Sequence, residues 1–268
     1  MAGQSCLISN DWICGEYVRT RSQELTDATV QHVWITVASV AIGFVVAFPL
    51  ALLARRWRSV AGPVLGLTTI LYTVPSLAMF SLLLPFFGVS AAVVITGLVL
   101  YSLTILVRNI MAGLVSVPEE AREAARGMGY GPLRLLFGVE LPLALPALMA
   151  GLRITTVSTI SLTTVGAIVG YGGLGNLIYE GMRSFFKAQV LTASVLCVAL
   201  AVAADVLLLL VQRLLTPWAR GGTKKARKAQ KKAQEQARER VRGQAPEQAQ
   251  EQAREQARDR ARQKAGAA

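Results

Sequence analysis

Long apolar stretches dominate this chain and limit what it can fold into. A helix needs roughly 20 apolar residues to cross the hydrocarbon core of a bilayer. Five stretches approach or reach that length, at 30–54, 60–87, 89–107, 146–169 and 190–212. The 268 residues are 53% hydrophobic and 16% charged, with a mean hydropathy of +0.45. The sequence therefore predicts an all-α integral membrane protein with about five transmembrane helices.

The basic residues predict the orientation of these spans. The first span ends at Arg55 and Arg56, the third at Arg108, and the fifth at Arg213. The positive-inside rule places these ends in the cytoplasm. Five crossings then leave residues 1–29 outside the cell and the chain after the fifth span inside. The predicted topology is N-out and C-in.

The loop between the third and fourth spans contains helix signals that differ from the apolar sequence around it. Ser116 and Glu119 have the spacing of a capping box, which predicts a helix start. Gly127 and Gly129 suit the C-terminal end of that helix. A second short helix is predicted over LRLLFGVEL at 133–141. Both helices are expected to lie across the inner membrane surface.

The same loop, at 116–142, resembles the EAA signature of the permease subunits of ABC importers. One matching position departs slightly, because Val139 stands where the signature usually has isoleucine. The residues that match are Glu123, Ala124, Ala125, Gly129, Val139, Leu141 and Pro142. In that family the loop forms a coupling helix that sits in a groove of the ATP-hydrolysing subunit. The resemblance implies a type I importer permease fold and assigns these residues to the ATPase contact.

Longer stretches are similar to one branch of these permeases, which imports glycine betaine, carnitine and choline. They include YTVPSLAMFSLLLPFFG, VELPLALPALMAGLRITTV and GAIVGYGGLGNLI, within a similarity that extends over about 10–217. Methionine-importer permeases share the EAA core but match PLALPALMAGLR less well. The resemblance implies uptake of a quaternary-ammonium osmoprotectant across the plasma membrane of a prokaryote. A related importer for methionine or another small solute is the alternative.

The resemblance implies partners that supply what the chain does not contain. No G-x-x-x-x-G-K-[ST] loop is present to bind nucleotide phosphates. We expect a permease subunit without enzyme activity or a cofactor. Its expected partners are two ATPase subunits, a second permease subunit (itself or a paralogue), an extracytoplasmic binding protein and membrane lipid. An ATP-independent transporter or channel, and a non-transporting scaffold, are the competing classes.

Residues that interrupt the apolar pattern are candidates for a transport pathway. Prolines such as Pro75 break helices, and broken helices persist in membranes only where protein or water surrounds them. An acid within a span is costly in lipid, so Asp205 is expected to face the protein interior with Arg153 or Asn109 as its partner. A gate residue and a structural hydrogen bond both agree with that position. The pathway or gate candidates are Pro75, Ser76, Arg108, Asn109 and Asp205.

The outer loop carries Gly170, Gly172, Gly173 and Gly175 in a G-x-G-x-x-G pattern. A dinucleotide site needs a strand before this pattern and a helix after it. Here the pattern lies between two apolar spans, which favours a tight external loop that acts as part of a gate or as a docking surface for a binding protein. His32 is the only histidine, so no metal site is predicted, and it is expected at the outer interface.

The two ends of the chain differ from its membrane region. Cys6 and Cys14 can pair only if the N-terminus faces an oxidising compartment, whereas Cys197 is expected to pack as a small hydrophobe. Residues 219–268 hold 15 Lys and Arg against 6 Asp and Glu, which is +9 of the net +12. This cytoplasmic tail (218–268) has no apolar stripe and is predicted to be disordered or a solvated helix. Its basic first half is expected to touch anionic lipid rather than nucleic acid.

Overall fold

A computed structural model describes residues 6–218 of this protein, and in that range the regular elements are all helical. Four helices are long and apolar enough to cross a membrane, and a bent pair of helices, at the position of the second predicted span, brings the number to five if the pair counts as one span. Residues 6–215 form one compact unit, and the properties predicted for the tail from 219 onward lie outside the described residues. The helices are α1 (Cys6–Ser9), α2 (Gly15–Thr20), α3 (Ser22–Arg56), α4 (Arg58–Thr73), α5 (Ser76–Phe87), α6 (Ala91–Val115), α7 (Glu119–Gly127), α8 (Pro132–Leu135), α9 (Leu141–Thr163), α10 (Leu174–Arg183) and α11 (Lys187–Leu215).

The long helices extend beyond the apolar spans that the sequence predicts. Helix α3 has 35 residues, which at 1.5 Å per residue is roughly 50 Å, well beyond the ~30 Å hydrocarbon core. Its first turns, from Ser22, are polar and precede the apolar stretch. Hydropathy locates the part of a helix that is in lipid, whereas the helix itself continues through its polar flanks. Helix α3 is therefore longer than the apolar span that hydropathy indicates.

Helices α3, α6 and α9 form the centre of the bundle. Ala47 and Ala51 of α3 are fully buried and pack in one cluster with Leu106 and Ile110 of α6 and Ala144 of α9. Small side chains allow helix backbones to approach closely, which is the main source of attraction between helices in lipid. Helices α4 and α5 pack on α6, and α11 packs on α9 and α10. The pair of α4 and α5 therefore lies against α6, whereas α11 lies against α9.

The second predicted span is two helices rather than one. Helices α4 and α5 meet at an angle of 99°. Pro75 causes the break, because it has no N–H to donate and it holds Val74 in an extended conformation. The Tyr101 hydroxyl of α6 donates to the carbonyl of Val74, a group that the break leaves without a helical partner. The bend is therefore supported from the neighbouring helix.

His32 is fully buried at the outer end of the bundle, so the expectation that it lies at the outer interface is wrong. Its Nε2 donates to the carbonyl of Ile160 at 3.1 Å. The backbone of the outer glycine loop covers it, and a Cβ atom at Gly173 would lie 2.6 Å from the Cβ of His32. Gly173 also has a φ of +56°, a conformation that other residues adopt only with strain. A glycine at this position lets the loop approach the helix.

The same loop is closed on itself by one side chain. Asn176 accepts a hydrogen bond from the backbone N–H of Gly172 at 2.9 Å and donates to the carbonyl of Gly170 at 3.0 Å. Gly175 lies against the backbone of Thr164. The residues before the loop form a 3-10 turn (Thr164–Val169), not a strand, so the structural context of a dinucleotide site is absent here. The role of the loop as a gate or docking surface stays a prediction.

The N-terminal segment is fastened to the outer end of the bundle. Cys6 and Cys14 form a disulfide, with their Cα atoms 5.6 Å apart, whereas Cys197 is a free and partly buried thiol. The side chain of Asn10 donates to the carbonyl of Phe185 at 2.8 Å and accepts from the N–H of Lys187 at 3.0 Å. A disulfide at this end agrees with an N-terminus outside the cell, since disulfides persist in oxidising compartments.

Replacing Gly173 by alanine tests the packing of the outer loop. We expect Gly173→Ala to lower the thermal unfolding temperature of the detergent-purified protein, because strain of this kind costs about 1–3 kcal/mol. The control is Gly62→Ala in α4, where no atom lies within 4 Å of the added Cβ and alanine favours the helix. Equal unfolding temperatures for the two variants would contradict the contact between the loop and His32.

Candidate functional site

Helix α7 carries the first part of the EAA resemblance and ends in a Schellman motif. The N–H of Tyr130 donates to the carbonyl of Ala125 at 3.1 Å, and the N–H of Gly129 donates to that of Arg126 at 2.9 Å. Gly129 has a φ of +81°, the left-handed conformation that this cap requires. The three-residue gap between Ala125 and Gly129 is therefore the spacing of a helix cap. It fixes where α7 ends.

One side of α7 stays exposed while the other is anchored. Residues at 120, 123, 124 and 127 follow the i, i+3, i+4, i+7 spacing of a single helix face. All four are exposed, whereas Ala125 on the other side is 1% exposed. We call this surface the exposed face of α7; it consists of Glu120, Glu123, Ala124 and Gly127.

Large apolar side chains are exposed just beyond the cap of α7. Met128 is 69% exposed, Leu133 71% and Phe137 57%. Exposed apolar groups rimmed by polar groups mark contacts with another protein or with the membrane. The cytoplasmic loop therefore presents acidic, small and apolar groups within a short stretch of chain.

The predicted capping box at the start of α7 is wrong. Pro118 occupies the N-cap position, and no side chain caps this end. The Ser116 hydroxyl donates to the carbonyl of Gly113 at 2.8 Å, because Ser116 still follows the last turn of α6 and bonds back to it. Glu119 instead pairs with Arg122 at 2.7 Å.

The second short helix predicted over 133–141 is also not a separate element. Helix α8 has four residues and continues through a π turn (Leu136–Glu140) directly into α9. Val139 lies in the π turn, and Leu141 and Pro142 are the first residues of α9. A proline has no N–H to donate to the preceding turn, and the shifted bonding of a π turn accommodates it. The prolines therefore do not separate the loop from the fourth span.

The π turn places a buried carboxylate between α9 and the end of α3. Glu140 is 5% exposed, and Arg55 donates to its two oxygens at 2.6 and 2.7 Å. The Nε of Arg122 lies 3.1 Å from Oε1 of the same carboxylate. Arg122 also donates from Nη2 to the carbonyl of Leu114, at the end of α6, at 2.6 Å. We call Arg55, Arg122 and Glu140 the Glu140 cluster.

Sequence reasoning did not identify Glu140 as a functional residue. The EAA resemblance specifies Val139 and Leu141 on either side of it but leaves this position open. The available signal was a lone acid in the apolar run LLFGVELPLAL. A charge in such a run is stable only with partners of the opposite sign.

Three of the predicted pathway residues lie along the broken second span. Pro75 is exposed at the bend, and Ser76 begins α5. Arg108 of α6 donates from Nη2 to the hydroxyl of Thr69 on α4 at 2.8 Å. In the described part of the chain, no hydrogen bond or ion pair joins any two of the five candidates.

Asp205 pairs with Arg153, not with Asn109. Its two oxygens accept hydrogen bonds from Nε and Nη2 of Arg153, both at 2.8 Å, which joins α11 to α9. Arg153 therefore pairs with a neighbouring helix. Asn109 donates to the carbonyl of Ile105 at 2.7 Å and packs against Gly151 of α9. One of the two partners expected for Asp205 is thus present.

The pair of Arg153 and Asp205 opens on a cavity of about 600 Å³ between α9 and α11. Apolar side chains and Ser158 form the rest of its lining. The two charged side chains are 26% and 37% exposed in the single chain. Within 6–218 no three His, Cys, Asp or Glu side chains are grouped closely enough to hold a metal ion.

Known proteins resemble this chain over most of its length. Residues 35–221 match the family described as binding-protein-dependent transport system inner membrane component. The chain is 35% identical over 206 residues to the osmoprotectant import permease protein OsmW of Salmonella typhimurium, covering 75% of this chain and 96% of that protein. It is 33% identical over 202 residues to the choline transport system permease protein OpuBB of Bacillus subtilis, covering 75% and 93%.

A third relative and one solved structure agree with these matches. The glycine betaine/carnitine/choline transport system permease protein OpuCB of Bacillus subtilis is 32% identical over 209 residues, covering 78% of this chain and 96% of that protein. An inward-facing structure of the MetNI methionine ABC transporter superposes with a TM-score of 0.66 at 23% identity, covering 74% and 98%. That identity supports the fold alone. Together these matches show that the chain belongs to the family of inner-membrane components of binding-protein-dependent transport systems, the permease subunits of ABC importers.

Proposed function

We propose that this permease takes up a quaternary-ammonium osmoprotectant such as glycine betaine, choline or carnitine. The observation that carries the proposal is the similarity to relatives named for these solutes. Three of them are 32–35% identical to this chain, and the chain covers at least 93% of each. The methionine transporter structure is 23% identical, which makes methionine the weaker alternative.

As a family member the chain is a multi-pass component of a prokaryotic plasma membrane, and it works with separate ATPase and substrate-binding subunits. It does not itself hydrolyse ATP. We infer that two permease subunits and two ATPase subunits form the complete importer. The exposure of the Arg153–Asp205 pair in the single chain supports a second permease, because a charged pair within a membrane requires protein or water around it.

The exposed face of α7 is the proposed contact with the ATPase subunit. Ala124 and Gly127 are small and allow a partner to approach the helix closely, while Glu123 offers a charge to it. Met128 and Leu133 add exposed apolar area beside this face. Val139, Leu141 and Pro142 lie where the loop enters α9 and are proposed to hold the loop rather than to touch the partner.

ATP-driven closure of the ATPase subunits is then proposed to move α7 and to rock the spans between inward- and outward-open states. The bend at Pro75, with Ser76 beside it, and the pair of Arg153 and Asp205 are the proposed pathway elements, since each is an irregular or charged feature within a span. Arg108 and Asn109 lie between neighbouring helices and are proposed to move with them. The four glycines of the outer loop are proposed to form part of an external gate or a docking surface for the binding protein.

Two substitutions test the ATPase contact. We expect Glu123→Lys and Gly129→Val to abolish uptake of radiolabelled choline or glycine betaine while the amount of permease in the membrane stays normal. The first reverses a charge on the contact, and the second disfavours the left-handed cap that ends α7. Gly129→Asn is the matched control, because asparagine tolerates this conformation and should retain most of the uptake. Normal uptake by both Glu123→Lys and Gly129→Val would refute the assignment.

The pathway role of Asp205 has its own test. We expect Asp205→Asn to lose uptake at a normal protein level, because it leaves Arg153 with an unpaired charge in the pathway. A double variant, Arg153→Met with Asp205→Leu, removes both charges, and replacing such a pair by apolar groups is often neutral for folding. A pathway role predicts that the double variant reaches the membrane but does not transport. Restored uptake in the double variant would show that the pair is only structural.

A further inference from the structure

Helix α7 makes few helix–helix contacts with the body of the bundle. Among the helical elements it packs mainly on α8 and on the π turn, both of which belong to the same loop. Arg122, which is 13% exposed, connects α7 to other parts of the bundle. Arg122 reaches the carbonyl of Leu114 at the end of α6 and the carboxylate of Glu140. An ion pair therefore links α7 to Glu140.

Glu140 in turn is joined to the first span. Both of its oxygens accept hydrogen bonds from the Arg55 guanidinium, at the end of α3. Such a two-bond contact fixes the orientation of both groups, unlike a single ion pair of flexible side chains. One carboxylate thus connects α7, α3 and the start of α9.

We propose that Glu140 is a positioning residue for transport, which transmits the displacement of α7 to α3 and α9 as one unit. This inference rests on the proposed contact of α7 with the ATPase subunit. Glu140 is 5% exposed and cannot itself touch that partner, so its effect on transport is internal to the permease.

Stability alone does not require a charge at this position. Val139 and Leu141 flank Glu140, and an apolar side chain here would avoid the cost of taking a carboxylate out of water. Arg55 and Arg122 are 25% and 13% exposed, so an apolar residue at 140 would leave their charges without this partner unless Arg55 were replaced as well. The feature that an apolar residue cannot supply is a directional bond from one helix to the next.

The proposal separates transport from ATPase binding. Variants of Glu140 should keep the ATPase subunit bound, because the exposed face of α7 is unchanged. They should also keep basal ATP hydrolysis, which the ATPase subunits perform. What they should lose is the stimulation of hydrolysis by the solute-loaded binding protein, together with uptake.

The experiment uses the complete importer, with its own ATPase and binding protein, in proteoliposomes. Three quantities are measured for each variant: the ATPase that co-purifies, ATP hydrolysis with and without choline-loaded binding protein, and choline uptake. We expect Glu140→Gln to retain the ATPase and to reduce uptake by about tenfold or more, within the range of ordinary coupling energies. Glu140→Asp keeps the charge and should restore part of the uptake.

Glu119→Gln is the matched control. Glu119 also pairs with Arg122, but it is 54% exposed, and the hydrogen bonds of the Arg55 guanidinium go to Glu140. Its uptake should stay within about twofold of the original protein, because exposed ion pairs contribute little energy. Equal losses in Glu119→Gln and Glu140→Gln would overturn the proposal.

A second variant keeps the test valid if Glu140→Gln folds poorly. Arg55→Met with Glu140→Leu replaces the pair by apolar groups and should restore assembly but not uptake. Restored uptake would show a purely structural role, and loss of the co-purifying ATPase would show a role in docking; either result overturns the proposal.

If Glu123→Lys and Gly129→Val transport normally, the proposed contact of α7 with the ATPase has failed. If they fail to transport while the Glu140 variants transport normally, only this inference has failed.

Discussion

A bilayer provides no water to hydrogen-bond a backbone, and this constraint determines most of the structure. Every N–H and C=O within the membrane must find its partner inside the protein, so the spans are helices. A helix can be broken only where a neighbour replaces the lost bonds. At the bend of the second span Tyr101 does so for Val74, and near the fourth span a π turn accommodates Pro142. Both irregularities lie in stretches that resemble the importer permeases.

The loop between α6 and α9 combines an exposed helix face, which is the proposed ATPase contact, with buried ion pairs. The Schellman cap at Gly129 fixes the end of α7, and one face of that helix stays open to a partner. Behind it Arg122 and Glu140 lead from α7 to the ends of three spans. In the proposed mechanism a subunit that does not hydrolyse ATP uses both parts, since a docking surface without a connection to the spans would bind the ATPase and move nothing.

The sequence predicted the features that depend on local pattern. Hydropathy indicated about five apolar spans, and Gly127 and Gly129 indicated the end of α7, because helix periodicity and a glycine cap are local properties. It failed where distant segments decide the outcome: the outer loop buries His32, and α6 binds the hydroxyl of Ser116 that was expected to cap α7. Glu140 was missed for the same reason, since its partners at 55 and 122 are far away in sequence. Asp205 was the favourable case, because an acid within a span demands a nearby base and Arg153 was one of two candidates.

The central claim is that α7 faces the cytoplasm, where an ATPase subunit can reach it. The most direct measurement is the reaction of a single cysteine at Ala124→Cys with a membrane-impermeant maleimide, in a protein whose free thiol is removed by Cys197→Ala. Right-side-out and inverted membrane vesicles are compared, with Met182→Cys on the outer side as the reference position. The account predicts labelling of Ala124→Cys in inverted vesicles only, and of Met182→Cys in right-side-out vesicles only. Labelling of Ala124→Cys from the outside would contradict the topology and the proposed coupling.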